Sequence, residues 1–167
     1  SGKMKRLGLT ATVFVVLASQ AVALSCLPPN IARTFNQANE APDVYVMGLG
    51  ILTVTGPIPK YKEGKPRHVT AQFKGAFLGA SGQSAEQDLD VTVDAICYAS
   101  WCGGFPQSDE KMIAFLKKTE TGYRLETNPC GGHFKIAPTP KEIRLLRKCL
   151  TQGGCSETQV KSLDIRP

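Results

Sequence analysis

The sequence predicts a mainly β domain, a small five-stranded antiparallel barrel with a short N-terminal helix and a C-terminal helix. Three observations carry this expectation. Five segments have strand-type apolar patterning, glycine- and proline-bearing turns separate them, and only two stretches have helical spacing with helix-start chemistry. A β-sandwich is the structural alternative.

The elements follow in order. Ser25-Cys26-Leu27-Pro28-Pro29 is stiff and extended, and Asn30 is placed to cap a helix over 31–39, whose Ile31, Phe35 and Ala38 share one face. Ala41-Pro42-Asp43 ends it. The first strand spans 44–55, with Val44, Val46, Leu52 and Val54 on one side. Gly48 and Gly50 stand in the same alternate row, which marks a bulge or a sharp bend at a barrel corner. A lysine-containing connection over 56–66 leads to a strand over 67–74. There Val69, Ala71 and Phe73 point in, and His68, Thr70, Gln72 and Lys74 point out. Residues 75–87 read as a loop.

The cleanest alternation is 88–97, with Leu89, Val91, Val93 and Ala95 inward and Asp88, Asp90, Thr92 and Asp94 outward. Segments 111–118 and 123–127 form a hairpin about Thr119-Glu120-Thr121-Gly122. Thr139-Pro140-Lys141-Glu142 is a capping-box start for a helix running to Leu150, which buries Ile143, Leu146 and Leu150 and stops at Gly153-Gly154. Residues 156–167 read as a loose tail, and the chain shows no internal repeat.

Ahead of the domain, Lys5 and Arg6 precede an apolar run over 7–22. Two small-residue cleavage options follow, after Ala23 or after Ser25. This is the grammar of a secretory signal peptide, and the run is short and too polar for a membrane span. The expected organisation is therefore prefix and signal peptide over 1–23, domain over 24–155 and tail over 156–167, in an exported protein, periplasmic or extracellular. The 167 residues less those 23 leave 144, enough for one core. Three basic side chains (Lys3, Lys5 and Arg6) and no acidic ones fall in the signal. The remainder has 17 basic against 14 acidic groups, a net charge of +3, which makes no case for nucleic acid.

Six cysteines remain, at 26, 97, 102, 130, 149 and 155. An even count in an exported domain reads as three disulfides, with fifteen pairings open. There is no C-x-x-C and there are only two histidines, so neither a metal site nor a redox motif is expected.

The landmarks Ser25-Cys26-x-Pro28 behind a signal peptide, Asp43-Val44-Tyr45-Val46-Met47-Gly48 after a short helix, Phe73-Lys74-Gly75, Cys102-Gly103, Asn128-Pro129-Cys130 and a C-terminal helix bearing Cys149 resemble the netrin-module and tissue-inhibitor-of-metalloproteinases (TIMP-like) superfamily. The resemblance covers about residues 25–155 by spacing. It implies an OB-type five-stranded barrel. Inhibitors of that family begin Cys-x-Cys, and the first cysteine's α-amino group and carbonyl chelate a protease's zinc. Here Cys26 aligns with the second cysteine and Leu24 stands in place of the first, whereas cleavage after Ser25 would make Cys26 residue one. The same alignment implies the bonds Cys26–Cys130, Cys97–Cys102 and Cys149–Cys155, against a rival of Cys26–Cys102 with Cys97–Cys130.

No catalytic constellation is expected. His68 and His133 read as surface or turn histidines without a serine elbow or H-E-x-x-H beside them. The aspartates at 88, 90 and 94 read as a solvated strand face rather than a calcium loop. Trp101 suits packing over a disulfide, while with Phe105-Pro106 nearby it also suits an interface anchor. The leading expectation is an exported, non-enzymatic protein-binding module without cofactor or metal, its contact candidates being Cys26, Leu27, Pro28, Trp101 and Phe105. The alternatives are a metalloprotease inhibitor with Cys26 as mature terminus, and a lipid-anchored envelope protein, the one reading in which a membrane is a partner.

Overall fold

The computed structural model describes residues 25–164; the signal segment expected over 1–23 lies outside them. Five long strands form the barrel: β1 (Tyr45–Val54), β2 (Arg67–Gly79), β3 (Gln87–Ala95), β4 (Met112–Thr119) and β5 (Gly122–Asn128). β1 pairs with β2 and β2 with β3; β3 then pairs with β5, β5 with β4, and β4 returns to β1. The ring is closed, as a barrel requires.

It is not purely antiparallel. β3 and β5 run parallel, with Val91 opposite Tyr123 and Val93 opposite Leu125. A closed ring of five strands cannot alternate direction all the way round, because five is odd, so one neighbouring pair must run parallel. The expectation of an antiparallel barrel is corrected on that point.

Two apolar cores follow from the strand alternation. The barrel interior holds Leu52, Val69, Ala71, Phe73, Val91, Val93, Met112, Ala114, Leu116 and Leu125, all buried. A second core lies where the helices α1 (Ile31–Glu40) and α2 (Pro140–Gln152) cover one wall, joining Ile31, Phe35, Ala38 and Leu146 to Met47, Ile113 and Phe115. β4 serves both cores, which is why Met112 to Leu116 is an unbroken buried run. A short strand β6 (Phe134–Ile136) pairs with its far edge.

The strand expected over 67–74 continues through Gly79 and folds back on Gly82–Gln83, where a loop was expected. Gly75 is the reason. It stands opposite Gly50, and a Cβ on it would lie 2.5 Å from the Gly50 Cα and 2.4 Å from the Leu49 carbonyl oxygen. The glycine there is a close approach of two strands and not the end of one.

Both helix starts are built as expected. Asn30 Oδ1 accepts from the Ala32 and Arg33 amides, and Thr139 with Glu142 completes a capping box. Residues 156–164 are not a loose tail. Ser156 and Gln159 form a second capping box on α3 (Glu157–Lys161), and the buried Asn30 donates from Nδ2 to the Val160 carbonyl (2.8 Å) and to Asp164 (2.7 Å). The S-x-x-Q pattern at 156–159 was the signal for it.

Candidate functional site

The cysteines form Cys26–Cys130, Cys97–Cys102 and Cys149–Cys155, and none is free. Three internal disulfides point to an oxidising compartment. Two of the bonds organise the same end of the barrel. Cys130 lies two residues beyond the end of β5, so its bond holds the segment from Ser25 to Pro29 there, with Leu27 71% exposed. Residues 97–102 form a two-stranded ribbon in which Cys97 faces Cys102 and Tyr98 faces Trp101 across a turn at Ala99-Ser100.

Thr127, at the end of β5, anchors that ribbon. The Ile96 amide donates to the Thr127 carbonyl, the Gly103 amide donates to the Ile96 carbonyl, and the buried Thr127 hydroxyl donates to the Gly104 carbonyl (2.8 Å). Gly103 packs so closely that a Cβ would lie 2.5 Å from Thr127 Oγ1. The ribbon is therefore fixed at its base by β5 and closed by its own disulfide. Its aromatic pair stays outside, Trp101 being 61% and Tyr98 52% exposed.

Of the five contact candidates, Cys26, Leu27, Pro28 and Trp101 thus lie exposed on two segments tied at the C-terminal end of β5, one through Cys130 just beyond the strand and one through Thr127. Phe105 does not join them. It is half-buried against the barrel core, under the Arg67 guanidinium at 5.1 Å from its ring centroid, and Pro106 behind it is buried. The pair closes the barrel end and offers no exposed anchor.

Beside the ribbon lies an open cleft of about 810 Å³ that residue reading missed. The 56–66 connection forms one wall, where the Tyr61 hydroxyl donates to the Ala99 carbonyl (3.4 Å) and ties the two loops together. Ile96 and Ala95 line the other side, and the floor carries Arg67, His68 and an Arg124–Asp94 ion pair of 2.8 Å. Arg67 also donates to the Pro59 carbonyl, which shapes the connection. Tyr98 was legible as the cross-ribbon partner of Trp101 in C-Y-A-S-W-C. The cleft residues meet only through β2, β3 and β5, so no local pattern announces them.

The aspartates at 88 and 90 are exposed and Asp94 is half-buried in its pair with Arg124, while His68 is exposed opposite Asp94. His133, read as a surface or turn histidine, lies in the bend just ahead of β6. It is partly buried against the Tyr45 ring, with Nδ1 3.5 Å from Glu126 Oε2. Burial lowers its pKa, and the facing Glu126 offsets this in part. The Tyr45 hydroxyl donates to the same carboxylate (2.8 Å); burial and that bond raise its pKa well above the usual phenol value. Tyr45 is thereby kept a protonated donor. The arrangement pins β1 to β5 and lacks an activated nucleophile. No family model, curated protein or solved structure matches the chain.

Proposed function

We propose that the chain is an exported, disulfide-stabilised, non-enzymatic protein-binding module of OB-type, TIMP-like architecture. The observation that carries the reading is the ribbon, with two large aromatics held in water by a local disulfide and a β5 anchor. Rigid aromatic side chains lose little freedom on contact and are favoured interface anchors. Closure of five strands into one barrel, with a helix at each end of the domain, supports the architectural half of the reading.

One further observation keeps the metalloprotease-inhibitor reading in second place. The Cys26–Cys130 bond holds Cys26 exposed at the barrel end, so a chain starting at Cys26 would present a fixed α-amino group and carbonyl to an open zinc position. The same bond weighs against a lipid anchor, since a sulfur shared with Cys130 cannot carry a thioether.

The test places a photo-cross-linking phenylalanine at position 101 of the natively exported protein. A discrete protein adduct is expected from 101, weakened by Tyr98→Ala and missing when the cross-linker stands at exposed Gln72 on β2. Absence of any adduct specific to 101, in envelope or medium, removes the reading. For the second reading, protein beginning at Cys26 is set against protein beginning at Leu24 on a panel of zinc proteases. Equal inactivity of the two discards it.

A further inference from the structure

We infer that the cleft between the 56–66 connection and the disulfide-closed ribbon receives an acidic, apolar-bearing polypeptide segment of the partner. The inference rests on the protein-binding reading and gives that partner its chemistry.

Charge is the first argument. Lys62, Lys65, Arg67 and Arg124 line the cleft against a single carboxylate, Asp94, which is already paired with Arg124. Four cations less one anion equal the whole net charge of +3 borne by the chain after residue 23. The rest of that sequence is balanced, and the excess is gathered in one concave place. A cleft with one sign of charge on low-dielectric walls focuses its field and attracts the opposite sign.

The second argument is what stands beside the cations. Ile96, Ala95, Ala99 and Pro66 line the cleft, and Ile96 is 40% and Tyr61 43% exposed. Aliphatic surface of this kind gains by covering the apolar side chains of a peptide. A sulfated or uronate glycan would satisfy the cations and leave Ile96 uncovered. A nucleic acid strand would use stacking faces and a basic track longer than this cleft.

The third argument is preorganisation. The two walls are joined by the Tyr61–Ala99 hydrogen bond, the ribbon is closed by Cys97–Cys102, and the floor lies on three paired strands. Little of the cleft has to be ordered when an extended segment enters.

The experiment selects displayed random peptides on the natively exported protein and then measures the best peptide by fluorescence anisotropy. Peptides with an excess of Asp and Glu and at least one large apolar residue are expected. Binding should weaken at least about tenfold in Lys62→Glu/Lys65→Glu, both exposed loop positions, and when salt rises from about 0.05 to 0.5 M. A charge-matched Lys118→Glu/Lys148→Glu variant, altered on other exposed faces, should bind as wild type does. Peptides without acidic excess, or an affinity indifferent to the cleft reversal, overturn the inference and leave the protein-binding reading standing. Tighter binding of heparin fragments or of a single-stranded oligonucleotide than of the best peptide overturns it in favour of those ligands. Failure to select any peptide overturns the inference too, while the protein-binding reading stands or falls with the cross-link from position 101.

Discussion

The most direct test of the barrel is Gly50→Ala. Gly50 lies opposite Gly75 within the seven-residue register joining β1 to β2. A Cβ there would stand 2.3 Å from the Lys74 carbonyl oxygen, 2.7 Å from the Gly75 Cα and 2.8 Å from the Phe73 ring. Ordinary contact needs roughly 3.4 Å or more, so the two strands must part by about 1 Å. Two of the three neighbours are backbone, and Phe73 is fully buried, so no flexible group can yield. Overpacking of this kind costs about 1–3 kcal/mol and occasionally more. Alanine's smaller unfolded-state entropy returns about 0.4–1 kcal/mol. With backbone on two sides the upper end applies, and a net loss of about 2–3 kcal/mol is expected. For a domain of this size that is a fall in Tm of roughly 10 °C. Urea unfolding followed by far-UV circular dichroism suits the measurement, because the single tryptophan, Trp101, is exposed and reports poorly on the core. Gly104→Ala is the control, since nothing lies within 4 Å of its Cβ position. A Gly50→Ala protein as stable as Gly104→Ala would refute the close-approach account of this strand pair.

Three other perturbations follow from the same geometry. In the chain-entropy view, Cys26→Ser/Cys130→Ser, which opens a link across 104 residues, costs about 4–5 kcal/mol; Cys97→Ser/Cys102→Ser, across 5, costs about 2 kcal/mol. Denaturant midpoints of the unreduced variants rank them, and the opposite order would contradict this view. Asn30→Ala removes the α1 cap and the buried bonds to Val160 and Asp164, and is expected to cost about 2–3 kcal/mol, with faster amide exchange at 156–164 as the local readout. Acidification is expected to act in two steps. His133 is held below its ordinary value of 6.5, so the unfolded chain binds the proton first and stability falls as pH drops below about 6.5. Burial would raise Glu142, but hydrogen bonds from Lys135 and Thr139 outweigh it and hold the carboxyl below 4.5; its contribution, full at neutral pH, is lost as pH falls through and beneath that value. His133→Gln should flatten the first step and Glu142→Gln the second in pH-resolved thermal melts.

What was legible was local. Alternation at 67–74 and 88–97 gives the inward residues, and Asn30 and Thr139 give the helix starts to within a residue. Alternation states which face a residue takes, but not which strand lies alongside or in which direction, so the parallel β3–β5 pair was not readable. Glycine has the same ambiguity. Gly48 and Gly50 read as a bulge or a sharp bend, but the register with β2 and with β4 runs through both without a break, and what their surroundings show is a close approach to Phe73 and Gly75; Gly75, read as a strand end, makes that approach from the other side. The half-burial of Phe105, and of His133 in its turn, was not readable because burial in a loop depends on what arrives from elsewhere, in these cases Arg67, Tyr45 and Glu126.

The candidate site divides along the same line. Trp101 could be singled out from its place beside a cysteine, and the ribbon does present it to solvent. The cleft could not, since its cations come from the 56–66 connection, β2 and β5, and look interspersed along the chain. Closing the ring gathers them. The short distance round a five-stranded barrel sets Arg67 at the start of β2 two strands away from Arg124 on β5, with β3 between them. On that geometry the charge of the domain and its exposed aromatics share one end because β5 anchors both the ribbon and the Cys130 link there. A partner that reads this end would meet the N-terminal segment, the ribbon and the cleft together. Loosening Thr127, which touches no partner itself, should therefore disturb the ribbon and the cleft wall at once; Thr127→Val, which keeps the shape and removes the bond to Gly104, isolates that effect.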